Sequence, residues 1–220
     1  MVQYGGVRDA VVQRLSKEER VNAWTHGLGC GMSVLGLAAL AWMAAGTGDV
    51  WLTIGVWVFG ISLVMLYASS TLYHLALDPV RKRWLRTLDH ISIFLLIAGT
   101  YTPLLLVPLR GALGWTLLWI IWGIAALGIV LKLWFTGRFG VLSTALYLGM
   151  GWLVAAAIRP LVQVMPSEGM QFLVAGGLAY TGGTVFYAWK KLPYHHGIWH
   201  VCVLAGSVCH YFAVFWALFL

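Results

Sequence analysis

The last stretch of the chain, LPYHHGIWHVCVLAGSVCHYFAVFWALFL (Leu192–Leu220), runs 29 residues without an Asp, Glu, Lys or Arg. A helix of about 20 apolar residues crosses the hydrocarbon core of a bilayer, so this stretch can span on its own. Six further uncharged windows precede it: Gly27–Gly48, Val50–Leu77, Ile91–Leu109, Gly111–Leu131, Phe139–Ile158 and Gly169–Trp189. None shows the two-residue alternation of a membrane β-strand. Every backbone group in lipid must be satisfied within its own segment, which leaves helices. The expected fold is an all-α, integral membrane bundle of seven transmembrane helices over residues 22–220, preceded by a cytoplasmic amphipathic segment over residues 1–21.

Composition agrees. Of 220 residues, 61% are hydrophobic and 10% charged, against roughly 45–50% and about 25% in soluble domains. So few charged side chains cannot cover a water-soluble fold of this size, and the apolar content excludes disorder. Three cysteines, Cys30, Cys202 and Cys209, all fall inside windows, which points to packing rather than a disulfide framework. The net charge of +7 sits in short loops beside the membrane, where it meets anionic head groups. Membrane lipids are the expected partners, and nucleic acid is not.

Charge also orients the bundle. With the amino terminus inside, the cytoplasmic side holds Arg8, Arg14, Lys17, Arg20, Arg81, Lys82, Arg83, Arg86, Lys132, Arg138, Lys190 and Lys191, while Arg110 and Arg159 alone lie outside. The positive-inside rule then places the carboxyl terminus outside. Ala44-Ala45-Gly46 looks like a signal cleavage site, but the window before it is too long for a signal core and a polar segment precedes it. In that segment Val7, Val11 and Leu15 recur at helical spacing, as in a helix lying on the membrane surface. Ser16 and Glu19 have capping-box spacing and should start the next helix before Val21. The stretches Asp78–Leu88 and Arg159–Glu168 read as the two roomy loops.

Polar groups within spans are costly and need a reason. His26, His74, Asp89, His90, His195, His196 and His200 all fall at window ends, which this topology places at the cytoplasmic face. His196 and His200 are four residues apart, on one helix face. Together they can hold one Zn²⁺, and His74 can add a third nitrogen, leaving the open position of a catalytic zinc site. Asp89 is placed to hold a metal-bound water or take its proton, and Ser70 to orient His74 or bond an intermediate. The plainer readings are interfacial histidines, Asp89 as a helix N-terminal charge and Glu19 as a cap. His210 lies about 15 Å deeper than His200, too far for the same metal, and reads as an interhelical hydrogen bond.

Taken together, Glu19-x-x-Asn22-x-x-Thr25-His26, Ser70-x-x-x-His74, Asp89 and Pro193-Tyr194-x-His196-x-x-x-His200 resemble the hemolysin III family. That family is the bacterial branch of the progestin and adipoQ receptor superfamily, which includes the adiponectin receptors. Ser69-Ser70-Thr71-Leu72-Tyr73-His74, Ala98-Gly99-Thr100-Tyr101-Thr102-Pro103 and Ile198-Trp199-His200 extend the resemblance over nearly the whole chain. The resemblance implies a bacterial inner-membrane, multi-pass protein with His74, His196 and His200 as zinc ligands, Asp89 on the zinc-bound water and Ser70 beside it. Members are similar to alkaline ceramidases in this site, which implies hydrolysis of a lipid amide or ester. The alternative is a non-catalytic membrane-homeostasis or signalling protein with a structural zinc. A retinal protein is excluded because Lys190 and Lys191 precede the last window. A transporter would be expected to carry more polar groups at mid-membrane and paired broken helices.

Overall fold

Ser16 opens the first helix. Its hydroxyl accepts from the Glu19 amide at 3.1 Å, and α1 then runs Lys17–Ala45. The computed structural model describes residues 15–135 and 140–220; the expected surface helix at Val7 and Val11 lies outside them. After α1 come α2 (Val50–Leu75), α3 (Pro79–Leu106), α4 (Ala112–Phe135), α5 (Gly140–Trp152), a 3₁₀ turn (Leu153–Ala157), α6 (Ile158–Val164), α7 (Ser167–Ala188) and α8 (His195–Phe219). Every element among the described residues is helical. Large apolar side chains such as Leu35, Trp42, Leu127 and Val141 face outward. Exposed apolar surface on that scale calls for lipid around it.

Six helices are long and apolar enough to cross a membrane, with α5, the 3₁₀ turn and α6 acting together as Gly140–Val164. The sixth window, Gly169–Trp189, does form a helix, α7, but that helix is not among the six. Its 22 residues include five glycines, Gln171, Thr181 and Thr184, which dilute its apolar character.

Two expected loops are helical. Asp78 accepts from the Arg81 amide at 2.8 Å and Pro79 takes the first helical turn, a favourable start because proline has no N–H to leave unpaired. The third helix therefore begins at Pro79, not at Asp89, and Asp89 sits three turns inside it. It is not an N-terminal charge. The basic run Arg81–Arg86 that closes the uncharged window is solvated helix. Likewise, Arg159 belongs to α6 rather than to a loop.

The fifth window is broken. Tyr101 of α3 repairs the break: its hydroxyl accepts from the Val154 amide at 2.7 Å and donates to the Met150 and Gly151 carbonyls at 2.9 and 2.8 Å. Backbone groups freed in lipid are thus satisfied by a neighbouring helix.

α3 stands between two cores. Phe94, Ala98, Tyr101 and Leu105 pack with Leu117 and Ile121 of α4, Met150 of α5 and Leu173 of α7. Leu96 packs on the other side with Phe59 and Tyr67 of α2, Leu40 of α1 and Val203 of α8. α2 approaches α3 closely enough that a Cβ at Gly55 would lie 2.7 Å from the Pro103 Cα. Nearer the other end of α2, Ser69 Oγ lies 3.0 Å from Ser92 Oγ of α3, which holds the segment carrying Ser70 and His74 against α3.

Candidate metal centre

His74 lies one residue before the end of α2, while His196 and His200 occupy the first two turns of α8. One ring nitrogen from each can be chosen so that the three lie within 4.8 Å of one another. Ring centroids are 4.6 Å apart for His196–His200, 5.0 Å for His74–His200 and 5.2 Å for His74–His196. His74 and His200 are buried. Three imidazoles at this separation can hold a metal ion.

The start of α8 is unusual. Tyr194 takes a left-handed backbone conformation with φ 55°, which costs a non-glycine residue on the order of 1–2 kcal/mol. Its amide donates to Glu18 Oε1 on α1 at 3.1 Å. That turn, following Leu192-Pro193, aims the first turns of α8 at α2.

The first helix supplies the surroundings. Glu19 Oε2 lies 2.6 Å from His74 Nδ1, and its Oε1 accepts from Lys82 Nζ of α3 at 2.7 Å. His200 Nδ1 lies 3.2 Å from both the Asn22 carbonyl and Thr25 Oγ1. His26 is stacked on His200 and meets Tyr67 edge-on. His196 is held by ring contacts, with Tyr187 at 6.0 Å. By sequence Glu19 reads as a cap and Asn22 as a helix-start residue, and nothing marks Thr25 or Lys82 as neighbours of the histidines. The signal was present in the recurrence of Glu19, Asn22, Thr25 and His26 along one face of α1.

His74 Nε2 is buried and has no hydrogen-bond partner among the described residues, and the buried Ser70 hydroxyl faces the Asp89 carboxyl. Ser70 therefore does not orient His74; Glu19 does. A buried imidazole nitrogen without a partner is costly, and a metal ion would satisfy it, so the donor set fits a zinc ion. Ser70, Asp89, His196, His200 and His26 all line one cavity of about 330 Å³. The rest of its wall is largely apolar, with Leu104, Leu148 and Val174 among the lining residues. Arg86 and Lys132 also line it, and Lys190, in the α7–α8 turn, is held below the usual lysine value by burial and by Arg86.

The remaining histidines stand apart from the triad. His90 Nδ1 donates to the Arg86 carbonyl at 2.6 Å, and His195 belongs to α8 but not to the converging group. His210 Nε2 donates to the Leu173 carbonyl of α7 at 3.2 Å, the interhelical bond expected for it. The three cysteines are free thiols.

The chain is similar to known proteins over most of its length. A protein named Hemolysin-3 homolog from Bacillus subtilis (strain 168) is 48% identical over 198 residues, 90% of this chain and 93% of that protein. Hemolysin-3 of Bacillus cereus is 46% identical over 198 residues, 90% of each. The human Monocyte to macrophage differentiation factor is 30% identical over 205 residues, 90% of this chain and 83% of that protein. The family described as Haemolysin-III related matches residues 15–211. With α1 through most of α8 inside that match, the chain is a multi-pass membrane protein that belongs to the haemolysin-III related family.

Proposed function

We propose that this protein is a zinc-dependent hydrolase of a lipid amide or ester, set in the bacterial inner membrane with seven spans, the amino terminus in the cytoplasm and the carboxyl terminus outside. Loop charge supports that orientation, and the 22 residues of α7, about 33 Å long, suffice for a seventh crossing. His74, His196 and His200 hold the metal. Zinc, when bound, acidifies water and polarises a carbonyl.

The observation that carries the reading is the unpartnered, buried His74 Nε2 converging with His196 and His200 beside a largely apolar cavity. Asp89, on the cavity wall, takes the proton from the attacking water and returns it to the amine or alcohol that leaves as the acyl C–N or C–O bond breaks. Ser70, beside it, donates its hydroxyl to the reacting carbonyl oxygen. The apolar lining binds the acyl chain and excludes bulk water, which strengthens both interactions.

A structural zinc is the second reading, favoured by one feature: the ligands come from α2 and α8, so a metal there would tie two helices together. The test loads purified protein with zinc in vesicles containing acyl amide and acyl ester lipids and measures released fatty acid by mass spectrometry. Release by the parent protein, abolished in Asp89→Asn with zinc retained, supports hydrolysis. Full zinc occupancy with no release across both lipid classes supports the structural role.

A further inference from the structure

We propose that Glu19, clamped by Lys82, is a positioning residue for the metal site: it fixes the His74 tautomer that presents Nε2 to the ion. The inference rests on the reading of His74 as a metal ligand. As the third residue of α1, Glu19 would close a capping box by reaching back to the Ser16 amide. It turns away instead, to His74 Nδ1 at 2.6 Å and Lys82 Nζ at 2.7 Å.

A carboxylate that already receives a lysine ammonium offers only acceptors. His74 Nδ1 must then carry the hydrogen, so the lone pair available for a metal is on Nε2. Nε2 is the buried nitrogen left without a partner. The same logic holds on the neighbouring ligand, where His200 Nδ1 faces the Asn22 carbonyl and a Thr25 oxygen whose own hydrogen goes to the Val21 and Asn22 carbonyls. One face of α1 thus sets the tautomers of two ligands.

The competing account makes Glu19 a strut joining α1, α2 and α3. Its side chain is 28% exposed and that of Lys82 29%, and ion pairs so placed contribute little to folding. His74 is 3% exposed, so the bond acts mainly on a buried ring. Outer-shell partners of this kind typically govern metal affinity by about 10–100-fold.

The experiment titrates zinc, against a competing chelator, into metal-stripped, detergent-purified full-length protein, alongside the metal-free unfolding midpoint. In Glu19→Gln the amide can donate to Nδ1 and so favour the tautomer with hydrogen on Nε2. Zinc affinity should fall about 10–100-fold, with stoichiometry and metal-free midpoint held. Glu19→Asp keeps an acceptor-only group and should recover part of the loss, and the visible absorption of Co²⁺-loaded protein should change in Glu19→Gln. Wild-type zinc affinity in Glu19→Gln overturns the proposal, as does a loss matched by a lowered metal-free midpoint in both variants, the mark of a strut. If the parent protein takes up no zinc, the metal-site reading itself fails, and this inference with it.

Discussion

The imidazoles of His26 and His200 lie face to face, with ring centroids 3.5 Å apart and planes 11° from parallel. His26 is buried, and both its ring nitrogens lack hydrogen-bond partners among the described residues. It contributes a flat wall that keeps the His200 ring in plane, and it is outside the group of converging ligand nitrogens.

His26→Phe should therefore keep the stack and keep zinc at the parent stoichiometry, whereas His200→Ala should lose it. Metal content of the two variants, measured side by side, checks this. Loss of zinc in His26→Phe would show that His26 is itself a ligand.

Tyr101 closes the break in the fifth span with three hydrogen bonds from one hydroxyl. In Tyr101→Phe the Val154 amide and two carbonyls lose their partner inside the membrane. The expected cost is about 1–2 kcal/mol, read as a lower unfolding midpoint in detergent, with faster hydrogen exchange at Val154. An unchanged midpoint would mean the break is satisfied some other way.

Asp49, between α1 and α2, caps α2 by accepting from Trp51 and Leu52 and pairs with Arg110 at 2.6 Å. The Arg110 hydrogen bond, helped by the two amides, holds its carboxyl below the usual carboxylate range. A depressed folded-state pKa contributes stability that is present above the unfolded value, near 3.9, and is lost as pH falls through the folded value. The gap in unfolding midpoint between parent and Asp49→Asn should thus be present at pH 6 and shrink below about pH 4. A gap that stays constant with pH would contradict this.

Gly55 faces the α3 backbone at Pro103, where neither chain can yield as a flexible side chain would. Gly55→Ala should cost about 1–3 kcal/mol. It should also weaken zinc binding, because α2 carries His74 at its far end. A variant with lowered stability and unaltered zinc affinity would show that the strain is absorbed above Ser70.

Much of this architecture was legible because the bilayer imposes simple rules. All seven uncharged windows hold helix, the Ser16 cap forms where its spacing indicated, and the His196/His200 pair with His74 does converge. What was not legible depended on distant partners. The start of α3 was hidden by Arg81–Arg86, since counting charges takes a solvated helical extension for a loop, although Asp78-Pro79 carried the start signal. The break in the fifth span is stabilised by Tyr101, about 50 residues away in sequence, so Gly149 and Gly151 just before it did not by themselves mark it. Glu19 satisfies a local capping pattern, and only the meeting of α1, α2 and α3 shows that its carboxylate serves His74 instead.

The central claim is that His74, His196 and His200 hold a zinc ion, and metal content per chain tests it most directly. Elemental analysis of gently purified, zinc-supplemented protein beside His196→Ala should give about one zinc per parent chain and far less in the variant. No zinc in either sample would contradict the account and leave these histidines as packing residues between α2 and α8.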